Sequence, residues 1–300
     1  MTDVVSLAGS SVSSSLKKVQ FGVATSSRDA FSGILGIGYG QGLATKYPNF
    51  VDELYAQNVT KVKAYTLALG SKTAKEGTIV FGGVDTSKFS GPLARLPIIA
   101  AAQSPDQVPR FWVQMGGIRL TPPPPNKGGK GESTSVVEKE KEKEKYGGSD
   151  IPAFLDSGST MTILPPKLAG RIAKDFGSPE PDVNGFFRVG CEYVNMNGTV
   201  DFEFVAGDGG GAKTGTGVGT AGDGGSGNVK GEGNGNGNGK KVTIRVPYKE
   251  MIREVGEGEG KTCFLGIVGS DSFTLLGDTF LRSAYGRSSP PHLPLLFISL

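Results

Sequence analysis

Histidine is almost missing from this chain of 300 residues, which has one, His292. That scarcity excludes triads built on an imidazole base and most transition-metal sites, which draw on imidazole nitrogen. Cysteine is equally sparse. Cys191 and Cys263 are the two present, too few for a four-thiolate zinc cluster and too far apart for a Cys-x-x-Cys redox pair. They leave two readings open, a single structural disulfide or two free buried thiols; a disulfide would imply an oxidising compartment and stabilise by roughly 4 kcal/mol. The sequence has no long apolar run, and Met1–Ser10 lacks a basic stretch followed by an apolar core, so neither a membrane span nor a secretory leader is read from it. An excess of one charge is lacking as well: Lys and Arg total 32 against 29 Asp and Glu, and the resulting +3 is too small and scattered for a nucleic-acid groove. A dinucleotide fingerprint fails at Gln41, where the third glycine after Gly36-Ile37-Gly38 is required. No nucleic acid, metal or cofactor is expected.

Glycine is plentiful, at 48 residues, and unevenly placed. Much of it falls in 207–240, whose backbone entropy is too high for packed structure. A second insertion, 122–149, abandons all periodicity, and its Glu138–Lys145 section alternates charge with too little apolar area to fold by itself. Both are expected to be disordered or solvated. Val200–Phe204 and Val242–Pro247 alternate like half-buried strands on either side of 207–240, which makes that insertion an overgrown hairpin loop.

The remaining text predicts a mostly β protein with short helices. Strands are expected at Val4–Leu7, Val19–Val23, Gly33–Ile37, Ala64–Leu69 and Thr78–Phe81, with Phe111–Met115 and Ile118–Leu120 forming a further pair. Phe50, Val51, Leu54 and Tyr55 have helical spacing after Pro48 and predict a short amphipathic helix. Two sequons, Asn58-Val59-Thr60 and Asn197-Gly198-Thr199, point toward secretion.

The chemistry-bearing text is Ile151-Pro152-Ala153-Phe154-Leu155 followed by Asp156-Ser157-Gly158-Ser159-Thr160. An apolar strand runs into a tight turn that displays a carboxylate among hydroxyls. Gly158 lets backbone amides approach that carboxylate and Ser159 can donate to it, so the ionised form is held without being buried unpaired. Alone, the tripeptide also suits an ordinary surface hairpin.

Its neighbours, in order, resemble the pepsin-type aspartic endopeptidase family, in its fungal secreted or yapsin-like branches. Phe31-Ser32-Gly33-Ile34-Leu35-Gly36-Ile37-Gly38-Tyr39 is similar to the apolar-apolar-glycine element that closes the first lobe, with Gly36 allowing the strands to cross. Ile79–Asp85 resembles the segment leaving that lobe, Phe111-Trp112 the opening strand of the second, and Asp156–Thr160 the second catalytic loop. Leu275-Leu276-Gly277-Asp278-Thr279-Phe280-Leu281-Arg282 repeats the apolar-apolar-glycine element. The resemblance implies a pepsin-like bilobal acid-protease fold, with residues 1–98 as the remainder of the first lobe and 99–300 as the second. It also implies a Cys191–Cys263 disulfide, Asp156 as a catalytic aspartate, and Gly158, Ser159, Thr160, Phe31, Ile34 and Phe111 as substrate contacts. Ser157 and Ser159 would support the carboxylate by hydrogen bonding. The partner is then an extended polypeptide substrate, the chain a monomer, the location secreted or cell-surface, and the reaction free of cofactors.

Two departures qualify this. The family needs an upstream Asp-Thr/Ser-Gly and a flap tyrosine, whereas Asp156 is the only aspartate here followed by Ser or Thr and then Gly. After Arg282 the text turns to Gly286-Arg287-Ser288-Ser289-Pro290-Pro291, so the closing strands of the second lobe are expected to be lost. The chain therefore reads as truncated at its beginning, altered at its end and inactive as written. A peptide-binding protein without catalysis is the alternative, and a dimer pooling two aspartates is a third reading.

Overall fold

The computed structural model describes residues 1–7, 15–28, 32–91, 93–123, 144–146, 150–207, 241–288 and 295–299. Its elements in chain order begin with β1 (Thr2–Ser6), β2 (Ser15–Gln20), α1 (Phe50–Ala56), β3 (Tyr65–Ala68), β4 (Thr78–Phe81) and β5 (Ala94–Leu96). The middle of the chain gives β6 (Trp112–Thr121), β7 (Glu144–Tyr146), β8 (Ile151–Leu155), β9 (Thr162–Leu164), α2 (Pro166–Asp175) and β10 (Phe186–Val189). The last part supplies β11 (Thr199–Val205), β12 (Lys241–Pro247), α3 (Tyr248–Met251), β13 (Ile252–Val255) and β14 (Thr262–Gly269). It closes with β15 (Leu275–Leu276), α4 (Asp278–Leu281), β16 (Ala284–Ser288) and β17 (Leu295–Ser299). The protein is mostly β with few short helices, as the sequence predicts.

Among the described residues the strands form three sheets. A large one runs β10-β14-β9-β15-β8-β6-β11-β12, with β13 on β14 and β7 on β6. A five-stranded sheet runs β4-β3-β16-β17-β5, and β1 pairs with β2. The large sheet carries most of the core. Val113, Met115 and Ile118 of β6 are fully buried, Met115 opposite Phe204 and Ile118 opposite Phe202 of β11, while Leu168, Ala169, Ile172 and Ala173 make the inner face of α2. Burying such side chains is worth about 1.5–3 kcal/mol each.

The N-terminal part has a smaller core, in which Leu16 and Val19 of β2 pack on Phe50 and Leu54 of α1. That helix starts where the sequence says it should because Asn49 accepts the Asp52 N–H at 3.0 Å and Asp52 accepts the Asn49 N–H at 3.1 Å, a reciprocal capping box. The turn after β3 is pinned to the other side of the molecule: Lys72 donates its backbone N–H to Glu250 at 2.8 Å and its Nζ to Glu254 at 2.7 Å, and Ser71 also bonds Glu250.

Four expectations need correction. Trp112–Thr121 is one strand of 10 residues rather than a pair, because Gly116 forms a bulge, Glu203 of β11 lying opposite Gly117 and Phe204 opposite Met115, and the ladder continues across it. Glu144–Tyr146, read as part of a structureless insertion, pairs with Ile118–Leu120, since the Tyr146 ring is buried and Arg171 lies over it at 5.6 Å. Gly33–Ile37 forms no strand. The closing strands are present: β16 and β17 pair with each other, and Gly286 fits within β16 opposite Leu67. The rest of 122–149, namely 124–143 and 147–149, and residues 208–240 lie outside the described residues. The hairpin across the latter is as read, Thr199↔Pro247 through Val205↔Lys241.

Candidate active site

Asp156 stands where β8 ends. Its strand lies between β6 and β15, and the Asp156 N–H donates to the Leu276 carbonyl at 3.1 Å, so the backbone on which the carboxylate rides is fixed from both sides. The carboxylate folds back on its own turn. Gly158 N–H donates to Oδ1 at 2.9 Å and Ser159 Oγ donates to Oδ2 at 2.9 Å. The half-buried side chain keeps access to the surface. A Cβ at Gly158 would stand 3.1 Å from Oδ1, tight enough to push the amide from the carboxylate.

Under the turn, the chain crosses. Gly277 lies so near the loop that a Cβ there would be 2.4 Å from the Met161 carbonyl and 2.5 Å from that of Ser159. Asp278 N–H donates to Ser159 O at 2.8 Å and Thr279 N–H to Thr160 O at 3.2 Å. The Thr279 hydroxyl donates to Gly266 O at 2.9 Å and meets the Thr162 hydroxyl at 3.0 Å, both threonines being buried. This hydroxyl pair satisfies polar groups that would otherwise be costly below the turn.

Beside the turn is a shallow depression lined by Ser157, Leu155, Phe111, Tyr65 and Leu67, with Leu281, Ala284 and Gly286 completing it. It is apolar except for the Ser157 end, which suits a side chain of a peptide laid past Asp156. The Phe111 ring packs at a tilt on Tyr39, 4.7 Å between centroids, and meets Tyr65 edge-on at 6.3 Å. The Tyr39 hydroxyl is shielded from water and has no hydrogen-bond partner among the described residues. Burial, then the neighbouring Tyr65, pushes its pKa up to about 12.

The residues proposed from sequence therefore separate. Asp156, Gly158, Ser159 and Thr160 form one turn, with Gly158 and Thr160 exposed, and Phe111 lines the depression beside it. Ser157 points to that depression rather than to the carboxylate, so Ser159 alone of the two serines makes the supporting bond. Ile34 is 96% exposed. Phe31 lies outside the described residues. Cys191 and Cys263 are joined as a disulfide, which ties the turn after β10 to buried Cys263 of β14.

Two residues were missed. Tyr65 reads simply as a strand aromatic. Asp278 follows Gly277, and burial raises its pKa despite Arg282 and Arg253, with the charge of Asp156 raising it further. A signal existed in the sequence, an acid placed directly after the crossing glycine with Arg282 four residues on.

A family model described as eukaryotic aspartyl protease matches residues 1–214. Secreted aspartic protease 8 of Candida albicans is 30% identical over 285 residues, covering 94% of this chain and 51% of that protein. The acid protease of Saccharomycopsis fibuligera is 29% identical over 294 residues, covering 94% and 59%. The chain thus spans about half the length of the curated relatives it matches. Among solved structures, an aspartic proteinase from Irpex lacteus superposes with a TM-score of 0.60 at 18% identity, covering 99% of this chain and 76% of that one, a likeness of fold.

Proposed function

This chain belongs to the eukaryotic aspartyl protease family, and from that premise we propose that Asp156 is one member of a two-carboxyl site that hydrolyses peptide bonds. The observation that carries the reading is the double donation to Asp156 from Gly158 N–H and Ser159 Oγ, at the open edge of an apolar depression. Such a carboxylate is aimed and accessible.

In the complete site two aspartates share one proton, because like charges so close do not both ionise cheaply, and their titration belongs to the pair. The ionised member takes a proton from a bound water as that water attacks the peptide carbonyl. The protonated member hydrogen-bonds the carbonyl oxygen and helps protonate the leaving nitrogen. Ser159 keeps Asp156 oriented, while Gly158 and Thr160 present a backbone and a hydroxyl contact to an extended substrate. Phe111 walls the side-chain pocket, with Tyr65 and Leu67 opposite.

The two-lobed division at residues 98 and 99 is part of this proposal, with the five-stranded sheet drawing β3, β4 and β5 from one side and β16 and β17 from the other. Secretion fits relatives named as secreted proteases and the disulfide. Since the sequence holds no second Asp-Ser/Thr-Gly, these 300 residues alone are proposed not to cleave. A peptide-binding role without catalysis is the second reading, favoured by that single carboxylate.

The test is a protease assay on an unfolded protein at acid pH, using this chain fused to an upstream segment with an Asp-Thr-Gly turn. Cleavage that a transition-state peptide analogue blocks, and that Asp156→Asn lowers by at least about a hundredfold, supports the enzyme. Tight peptide binding with no cleavage by the fused protein supports the second reading.

A further inference from the structure

Phe111, a wall of the depression beside Asp156, stands in the chain between Arg110 and Trp112. Trp112 is fully buried and is the one tryptophan of the protein. Both neighbours are tied to a single carboxylate: the Trp112 indole Nε1–H donates to Asp106 Oδ1 at 3.2 Å, and Arg110 Nε donates to Asp106 Oδ2 at 2.6 Å. The Val108 N–H adds a third donor, to Oδ1 at 3.0 Å. Charged acceptors make the stronger hydrogen bonds, so Asp106 is the hub on which this loop is folded. It does not itself line the depression.

The contacts of the three consecutive residues divide into two sets. Arg110 lies over the Phe154 ring at 5.3 Å and Trp112 meets that ring edge-on at 4.9 Å, whereas Phe111 turns to Tyr39 and Tyr65. The main chain joins the same segment to the strand that carries Asp156, for Leu155 N–H donates to Phe111 O at 3.2 Å. Burial opposes ionisation of Asp106, but the hydrogen bonds from Arg110, Val108 and Trp112 and the Arg110 charge outweigh it and lower its pKa. Arg110 is the charged group that faces it; β8 and the loop before β15 bring the rings of Phe154 and Phe273 to this side. The tie is therefore whole above the ordinary carboxyl value and lost as pH falls through the lowered one.

We propose that Asp106 is a positioning residue of the candidate site, one that sets the Phe111 wall by holding the residues before and after it. This rests on the reading of the depression as a side-chain pocket for a peptide substrate. Without the carboxylate, Arg110 loses its anchor and the buried indole N–H its acceptor, a loss that favours movement of the segment, and Phe111 moves with it. The Asp156 turn keeps its own donors, Gly158 and Ser159. The consequence therefore falls on how tightly an apolar side chain is held and not on the rate once it is bound.

With one tryptophan, the nitrogen-labelled 300-residue protein gives a single indole N–H signal by NMR. That signal should shift as pH falls, with a midpoint below that of an ordinary aspartate, and Asp106→Asn should leave it flat. A signal that does not titrate, or that titrates unchanged in Asp106→Asn, overturns the proposal. Amide exchange at Leu155 should quicken by roughly tenfold in Asp106→Ala, or in Asp106→Asn should the alanine variant unfold, and unchanged exchange overturns it. In the fusion with an Asp-Thr-Gly segment, the same variant should raise KM about fivefold for a peptide placing leucine in the depression, hold kcat within about twofold, and add nothing to Phe111→Ala. A fall in kcat at constant KM, or effects that multiply in the double variant, overturns it; where the fusion binds peptide without cleaving, Kd takes the place of KM. The indole and exchange readings involve no hydrolysis, so their failure is separable from failure of the acid protease assay.

Discussion

Leu276 and Leu35 each stand before the glycine of an apolar-apolar-glycine text, yet the first is wholly buried and the second more than half exposed. The difference lies in what each is packed against. Around Leu276 its strand pairs with β8 and β9, and the core of the large sheet covers it. The Leu35 side chain is 57% exposed, and it is not part of the small cluster of Leu16, Val19, Phe50 and Leu54. A sequence element tells what it can pack against, and its surroundings decide what it does.

The contrast can be broken hardest at the disulfide. Replacing Cys191 and Cys263 by alanine should cost about 4 kcal/mol in urea unfolding, and should loosen the large sheet while leaving exchange at the β2–α1 cluster little changed. Next comes the pair of glycines. Gly277→Val should cost about 3 kcal/mol, since its side chain would collide with the Ser159 and Met161 carbonyls, whereas Gly36→Val should stay within about 0.5 kcal/mol. Equal effects from the two would erase the distinction drawn here.

Two carboxyls sharpen the comparison by pH. Burial opposes ionisation of Asp52, but hydrogen bonds from Lys63 and from the Gln41 and Asn49 amides outweigh it and lower its pKa. Its stabilising contribution is therefore present above the ordinary carboxyl value and lost as pH falls through its own lower one. Asp52→Asn should cost about 1–2 kcal/mol near neutral pH, and almost nothing in strong acid, by thermal unfolding. Asp278 has the opposite sign. Burial raises its pKa, so its contribution is whole below the ordinary value and fades as pH rises through the raised one. Asp278→Asn, the smallest effect, should gain stability relative to the parent as pH rises.

Much of the site was legible because its chemistry is local. Gly158 and Ser159 reach Asp156 from two and three residues away, contacts that turn chemistry dictates whatever the rest of the chain does. The β11–β12 hairpin was legible through its alternation. What stayed hidden depends on distant partners. Gly116-Gly117 looked like a turn because the sequence does not display β11, which carries β6 across it. Gly286 looked like a breaker, yet within β16 it lies opposite Leu67 with Phe297 on its other side. Tyr146 sat in charged, aperiodic text, and its burial depends on β6 and on Arg171. Asp278 needed the crossing geometry before its closeness to the Asp156 turn could be seen. Ile34 went the other way, since apolar character says what would be favourable to cover and not whether anything does.

The most direct measurement is acid-pH hydrolysis of an unfolded protein, comparing the 300-residue chain, the same chain fused to an Asp-Thr-Gly segment, and that fusion with Asp156→Asn. The account predicts cleavage by the fusion alone. Cleavage by the unfused chain that disappears with Asp156→Asn, or cleavage by the fusion that survives it, would contradict the pairing of Asp156 with a second carboxyl.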